Sequence, residues 1–187
     1  MGLDEAAREL NALGAEARVA RLLSCCHCQR WAQALAAEAP FVDGAVLAAR
    51  ADALWAEATE VDRLEAFAGH PQIGGDLEAL RKRFAAAPAD GPAELATASG
   101  EQSAAWSGSE QASVSRASED TLRRLAAGNR DYLAKFGFIF IVCATGKSAE
   151  EMLALLEARL PHDRPTELDI AAGEQAKITR LRLEKLA

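Results

Sequence analysis

The stretch Phe136-Gly137-Phe138-Ile139-Phe140-Ile141-Val142-Cys143 constrains the fold most, because it stands alone. It is the one strand-like run in the chain, short, apolar and bounded by Gly137 and Gly146. Strands are stabilised by their neighbours across a sheet, so a single run builds none. Periodicity does not separate a buried strand from a buried helical segment of this length. The run is therefore expected to be buried extended chain or helix inside an α fold. Its backbone groups would then need side chains or a ligand as partners. Composition points the same way. Ala, Leu, Glu and Arg, all good helix formers, are frequent, while Ile, Thr and Tyr are sparse. Half of the 187 residues are hydrophobic, enough for the core of one domain.

Apolar residues recur at helical spacing through most of the chain. Leu3, Ala6, Ala7, Leu10 and Leu13 predict a helix over 3–13. A second runs from Val19 through Cys25-Cys26-His27-Cys28 to Leu35, ended by Pro40. A third follows an N-cap at Asp43, and a short one covers Val61 to Gly69. Asp76 to Phe84 is again helical, and Ala87 to Pro92 is a loop by its Pro and Gly content. Glu110 opens a stretch through Val114, and Ser118 is expected to cap a stronger helix carrying Leu122, Leu125 and Tyr132. Ser148-Ala149-Glu150-Glu151 is a capping box. Pro161 to Pro165 is a break, after which Thr166 opens a last helix with the stripe Leu168, Ala171, Ala172, Gln175, Ile178, Leu181 and Leu186. Arg182 lies beside that stripe. The expected architecture is all-α: a single-domain multi-helix bundle over 1–187, with 85–105 an irregular or extended insertion.

Several function classes are disfavoured. A net charge of −7 argues against a nucleic-acid or anionic-membrane partner. No apolar run approaches the ~20 residues of a membrane span. The start, Met1-Gly2-Leu3-Asp4-Glu5, is unlike a signal peptide, and Glu184-Lys185-Leu186-Ala187 is not a peroxisomal address, so a cytoplasmic location is expected. Cys25-x-x-Cys28 is half of a zinc ribbon, but no second Cys/His pair follows at suitable spacing. On a helix, Cys25 and Cys28 would face the core and Cys26 and His27 would point elsewhere, so packing is the expected role and no metal is expected. Gly146-Lys147-Ser148 resembles the end of a phosphate loop, but Ile141 stands where the first glycine belongs. With no nucleophile motif and no dinucleotide fingerprint, an enzyme built from these parts works by acid–base chemistry without a cofactor.

The imidazole suited to that chemistry is His70. Pro71 biases it away from helical backbone, so the preceding helix should end there, and Gly74 and Gly75 allow a sharp turn. Histidine titrates near pH ~6.5 and exchanges protons at neutral pH. A simple helix-end cap is the competing role. Ser107, Glu110 and Gln111 offer donors and acceptors suited to a ureide or amide-rich ligand, against a plain polar helix start. Arg182 is either a surface charge or an anion clamp for a carboxylate.

In chain order these pieces resemble the OHCU decarboxylase family, which acts on 2-oxo-4-hydroxy-4-carboxy-5-ureidoimidazoline in urate breakdown. Four blocks carry the likeness: Leu64 to Gly74, Trp106-Ser107-Gly108-Ser109-Glu110-Gln111, Lys135 to Ala144, and Lys177 to Leu183. The resemblance implies an all-α, homodimeric, cofactor-free enzyme that releases CO2 and makes (S)-allantoin. It implies catalytic roles for His70 and Glu110. The implied substrate-binding set is Pro71, Ser107, Gln111, Phe140, Ile141, Val142, Cys143, Ala144 and Arg182. Glu101-Gln102 is a rival match for the Glu-Gln element. Glu110 is preferred because Trp106-Ser107 precedes it. The alternatives are a non-catalytic helical interaction module and a decarboxylase of another ureide.

Overall fold

Side-chain caps set several helix starts. The structure is a computed structural model, and it describes residues 2–72, positions 78, 80, 81 and 84, the backbone of 108–118, and 119–186. Among the described residues are eight helices and no strand: α1 Leu3–Ala12, α2 Ala15–Cys25, α3 Gln29–Ala37, α4 Gly44–Ala56, α5 Glu60–Ala68, α6 Gly108–Phe136, α7 Ala149–Arg159 and α8 Arg164–Leu183. The all-α expectation holds. Asp43 caps α4 by accepting from Val46 N–H, and Ser148 with Glu151 forms the expected capping box of α7. A second box, Thr59 with Asp62, opens α5. There the third helical residue is Asp rather than the Glu or Gln that usually marks such a box in sequence.

Three boundaries differ from expectation. The helix predicted across Val19 to Leu35 breaks after Cys25, and Cys26 and Cys28 are extended. No Gly or Pro announces that break. In extended chain, alternate residues share a face, so Cys26 and Cys28 are both buried and His27 is exposed. This corrects the expectation that Cys26 would point away from the core. The start predicted at Ser118 is not a start, because α6 runs through it. A serine flanked by good helix formers is tolerated inside a helix. The last helix begins at Arg164 rather than Thr166. Pro165 then sits in the first turn, where its missing N–H costs nothing.

The chain divides into two compact units. The first comprises Met1–Pro71, Ile141–Cys143 and Arg164–Ala187. Its core gathers Leu10, Leu22, Trp31, Leu35, Leu47 and Phe67. Two indole N–H groups tie the helices together: Trp31 donates to Ala51 O on α4 at 3.0 Å, and Trp55 donates to Ala172 O on α8 at 2.9 Å. Gly44 lets α4 approach α1, since a Cβ there would lie 2.3 Å from the Leu3 backbone. The second unit, Gln72–Phe140 and Ala144–Asp163, packs α6 against α7. Its centre is Tyr132, ringed by Phe136, Phe138 and Phe140 at centroid distances of 4.6, 5.8 and 5.2 Å.

Phe136 ends α6, and 137–143 is mostly buried chain without helix, turning at Gly137, whose φ is +78°. Phe138, Phe140, Ile141 and Val142 are buried. Its need for a backbone partner is met in part by a side chain, because Cys143 N–H donates to Glu174 Oε2 at 2.7 Å.

Candidate active site

His70 stands one residue beyond the Gly69 cap of α5, and its N–H reaches back to Phe67 O at 3.1 Å. Asp62 anchors the other end of this short helix. Its carboxylate accepts from the Thr59 N–H and hydroxyl and from Arg30 at 2.7 and 3.0 Å. Those bonds, Arg30's first among them, hold the Asp62 carboxyl well below the usual carboxylate range. The C-terminal end of α5 is fixed by contact. A Cβ on Gly69 would overlap the His27 side chain, so α5 lies directly against the extended Cys26–Cys28 segment.

The His70 ring is half-buried, with Nε2 2.7 Å from Gln175 Oε1. Gln175 is fully buried and donates through Nε2 to Thr179 Oγ1 at 3.1 Å. Gln175, Thr179 and Arg182 share one face of α8, spaced by four and then three residues. Arg182 donates to Cys25 O at 3.1 Å and lies within electrostatic reach of His70. The His27 ring sits 6.3 Å from the His70 ring. Burial pushes the His70 imidazole below its ordinary value. The Gln175 bond opposes this, while Arg182 and His27 add to it. The neutral ring therefore predominates at neutral pH.

The remaining sequence-predicted residues divide clearly. Pro71 is exposed beside His70. Ile141 and Val142 are buried, and Cys143 and Ala144 are half-buried. The Cys143 backbone is bound by Glu174, the residue just before Gln175. Phe140 belongs to the second unit, with the buried Arg159 guanidinium 4.7 Å from its ring centroid. Ser107, and the side chains of Glu110 and Gln111 in the first turn of α6, lie outside the described residues, as do Gly74, Gly75 and the rival Glu101-Gln102.

The cysteines do not converge. Burial pushes the Cys25 thiol up to about 11 and the Cys26 thiol up to about 12. Cys28 lies toward Asp62 and Glu65, whose ligand atoms fall within 4.8 Å of its own. Asp62, however, is already bound by Arg30 and Thr59.

Gln175 and Thr179 escaped the sequence reading. Gln175 fell at the spacing of an apolar stripe, where it counted as packing. A glutamine on a buried stripe must find partners for its amide, and that requirement was the available signal.

An all-α chain that gathers an imidazole, a fixed amide and a guanidinium can perform acid–base chemistry on an anion. The OHCU decarboxylase family profile matches residues 11–184. The uric acid degradation bifunctional protein TTL of Arabidopsis thaliana is 34% identical over 163 residues, covering 87% of this chain and 45% of its own length. The 2-oxo-4-hydroxy-4-carboxy-5-ureidoimidazoline decarboxylase of Amia calva is 38% identical over 58 residues, 31% of this chain and 33% of its own. The chain thus spans less than half the length of these curated relatives that it matches. A crystal structure of OHCU decarboxylase in the presence of (S)-allantoin superposes with a TM-score of 0.63 at 32% identity, covering 88% of this chain and 94% of that one. An (S)-allantoin synthase structure, 19% identical with a TM-score of 0.61 over 95% of this chain and 52% of its own, shares the fold. The chain belongs to the OHCU decarboxylase family, a family of carboxy-lyases.

Proposed function

We propose that this chain converts 2-oxo-4-hydroxy-4-carboxy-5-ureidoimidazoline to (S)-allantoin and CO2 in urate degradation, with no cofactor. The observation that carries this reading is the half-buried His70 imidazole, bound to Gln175 and facing the charge of Arg182. When the carboxylate leaves, the electron pair of the broken C–C bond flows into the neighbouring C=N of the substrate ring. The ring is its own electron sink, so the protein has to position, exclude water and move a proton. His70, neutral at rest, takes the proton of the substrate hydroxyl as that C–OH becomes C=O. It then delivers a proton to one face of the ureido-bearing carbon, which sets the S configuration, while the ring nitrogen that received the electron pair takes a proton from water.

Arg182 binds the substrate anion, and Glu110 orients the imidazole or bonds the substrate hydroxyl. Pro71, Ser107, Gln111 and the backbone of Phe140 to Ala144 hold the ring and the ureido group. The single profile match over 11–184 supports one functional domain. We further propose a homodimer in the cytoplasm; light scattering after gel filtration tests the dimer. Among the described residues no helix is long and apolar enough to cross a membrane.

The test is circular dichroism during urate oxidation with hydroxyisourate hydrolase present. This protein should speed the appearance of one optically active allantoin, and His70→Ala should abolish that gain. A His70→Ala protein that still produced a single enantiomer at full rate would favour the helical interaction module. Turnover of a different ureide alone would favour a diverged decarboxylase.

A further inference from the structure

Three buried or half-buried side chains, His70, Gln175 and Thr179, form one chain of hydrogen bonds. Thr179 Oγ1 accepts from Gln175 Nε2 at 3.1 Å, and the Cys26 thiol lies close enough to feel the Thr179 hydroxyl. Cys26 and Gln175 are fully buried, and Thr179 nearly so. The Gln175 NH2 faces Thr179 Oγ1 and its oxygen faces His70 Nε2 at 2.7 Å. A carbonyl oxygen only accepts, so the nitrogen opposite it must carry a proton. The His70 Nδ1 has no partner among the described residues. We propose that Gln175, braced against Thr179, is a positioning residue that holds neutral His70 in the Nε2–H tautomer and leaves Nδ1 as the nitrogen that takes and returns the substrate proton.

This inference rests on the function proposed above and says which atom performs it. Among the described residues, the charged and titratable groups facing the ring are Arg182 from α8 and His27 from the extended segment. The Gln175 carbonyl favours the protonated ring against both. Removing it should therefore move the titration of His70 to lower pH, and a carboxylate in its place should move it up.

The experiment is 15N NMR of histidine-labelled protein, with His70 assigned by loss of its signal in His70→Ala. It is paired with pH profiles of kcat/KM for the parent protein, Gln175→Leu, Gln175→Glu and Thr179→Val, all checked for native melting. The expected parent spectrum at high pH shows a protonated Nε2 and a bare Nδ1. Gln175→Leu should shift the acid limb to lower pH and Gln175→Glu to higher pH. Both should lower kcat at least ten-fold with little change in KM. Thr179→Val frees the amide to turn and should mix the tautomers. A neutral ring protonated on Nδ1 in the parent protein overturns the inference whether or not any variant folds. So do limbs that move together in Gln175→Leu and Gln175→Glu. Parent protein without decarboxylase activity but with the Nε2–H signature would count against the proposed reaction alone.

Discussion

Replacing Gly69 with alanine tests whether α5 is wedged against the extended Cys26–Cys28 segment. The backbone at Gly69 is ordinary, with φ −75° and ψ −4°, so alanine meets no conformational strain. Space is the obstacle. The new Cβ would lie 2.2 Å from His27 Cγ and 2.4 Å from His27 Cβ. Carbon atoms rest ~3.5–4.0 Å apart, so the two segments must separate by about 1 Å. Rotating the His27 ring relieves the first contact but not the second, because backbone fixes the Cβ. Such overpacking costs about 1–3 kcal/mol. Against it, alanine restricts the unfolded chain and contributes about 0.4–1 kcal/mol of stability. The net expectation is a loss of about 1–2 kcal/mol. Gly173→Ala is the matched control. Gly173 is exposed on α8 with nothing within 4 Å of an added Cβ, so the same change should stabilise by about 0.5–1 kcal/mol. Urea denaturation midpoints read both. Since His70 is the next residue, turnover should fall in Gly69→Ala and stay level in Gly173→Ala. A Gly69→Ala protein as stable and as active as its parent would refute the packing argument.

Three further outcomes follow from named contacts. The rate constant kcat/KM should fall on the acid side with a midpoint below pH ~6.5, because burial lowers the His70 value and the reaction begins from the neutral ring; a midpoint above that would remove His70 from the base role. Arg182→Gln should raise KM about ten-fold or more while leaving the melting temperature nearly unchanged, measured by steady-state kinetics beside calorimetry. The ionised Asp62 favours the folded chain above about pH 4, and that contribution is lost as pH falls through its depressed folded value. Asp62→Asn should accordingly be less stable than the parent at pH 7 and lose less stability between pH 5 and pH 2; parallel acid denaturation curves would contradict this.

Much of the helical order was legible because its signals are local. The Asp43 cap, the Ser148–Glu151 box and the apolar spacing of α1, α4 and α5 each depend on a few neighbouring residues. The apolar run at 136–143 was readable as buried chain because a lone strand has nothing to pair with. The break at Cys26 was not readable. No breaker residue marks it, and its contact partner, Gly69, lies far along the chain. Pro165 looked like an obstacle to a helix whose first turn it occupies. For the site, His70 announced itself through Pro71, and Arg182 through its place beside the α8 stripe. Gln175 and Thr179 did not, since a polar residue at core spacing reveals its partner only after the helices are packed.

Glu174 and Gln175 are consecutive residues with unrelated partners. One binds the Cys143 amide and the other binds the imidazole of His70. With Arg182 two turns further along, a single rigid rod sets the relative heights of three groups. A small slide or roll of that rod would misalign all of them at once, so substitutions at its anchor just before Glu174, where Trp55 grips Ala172, should register as catalytic defects.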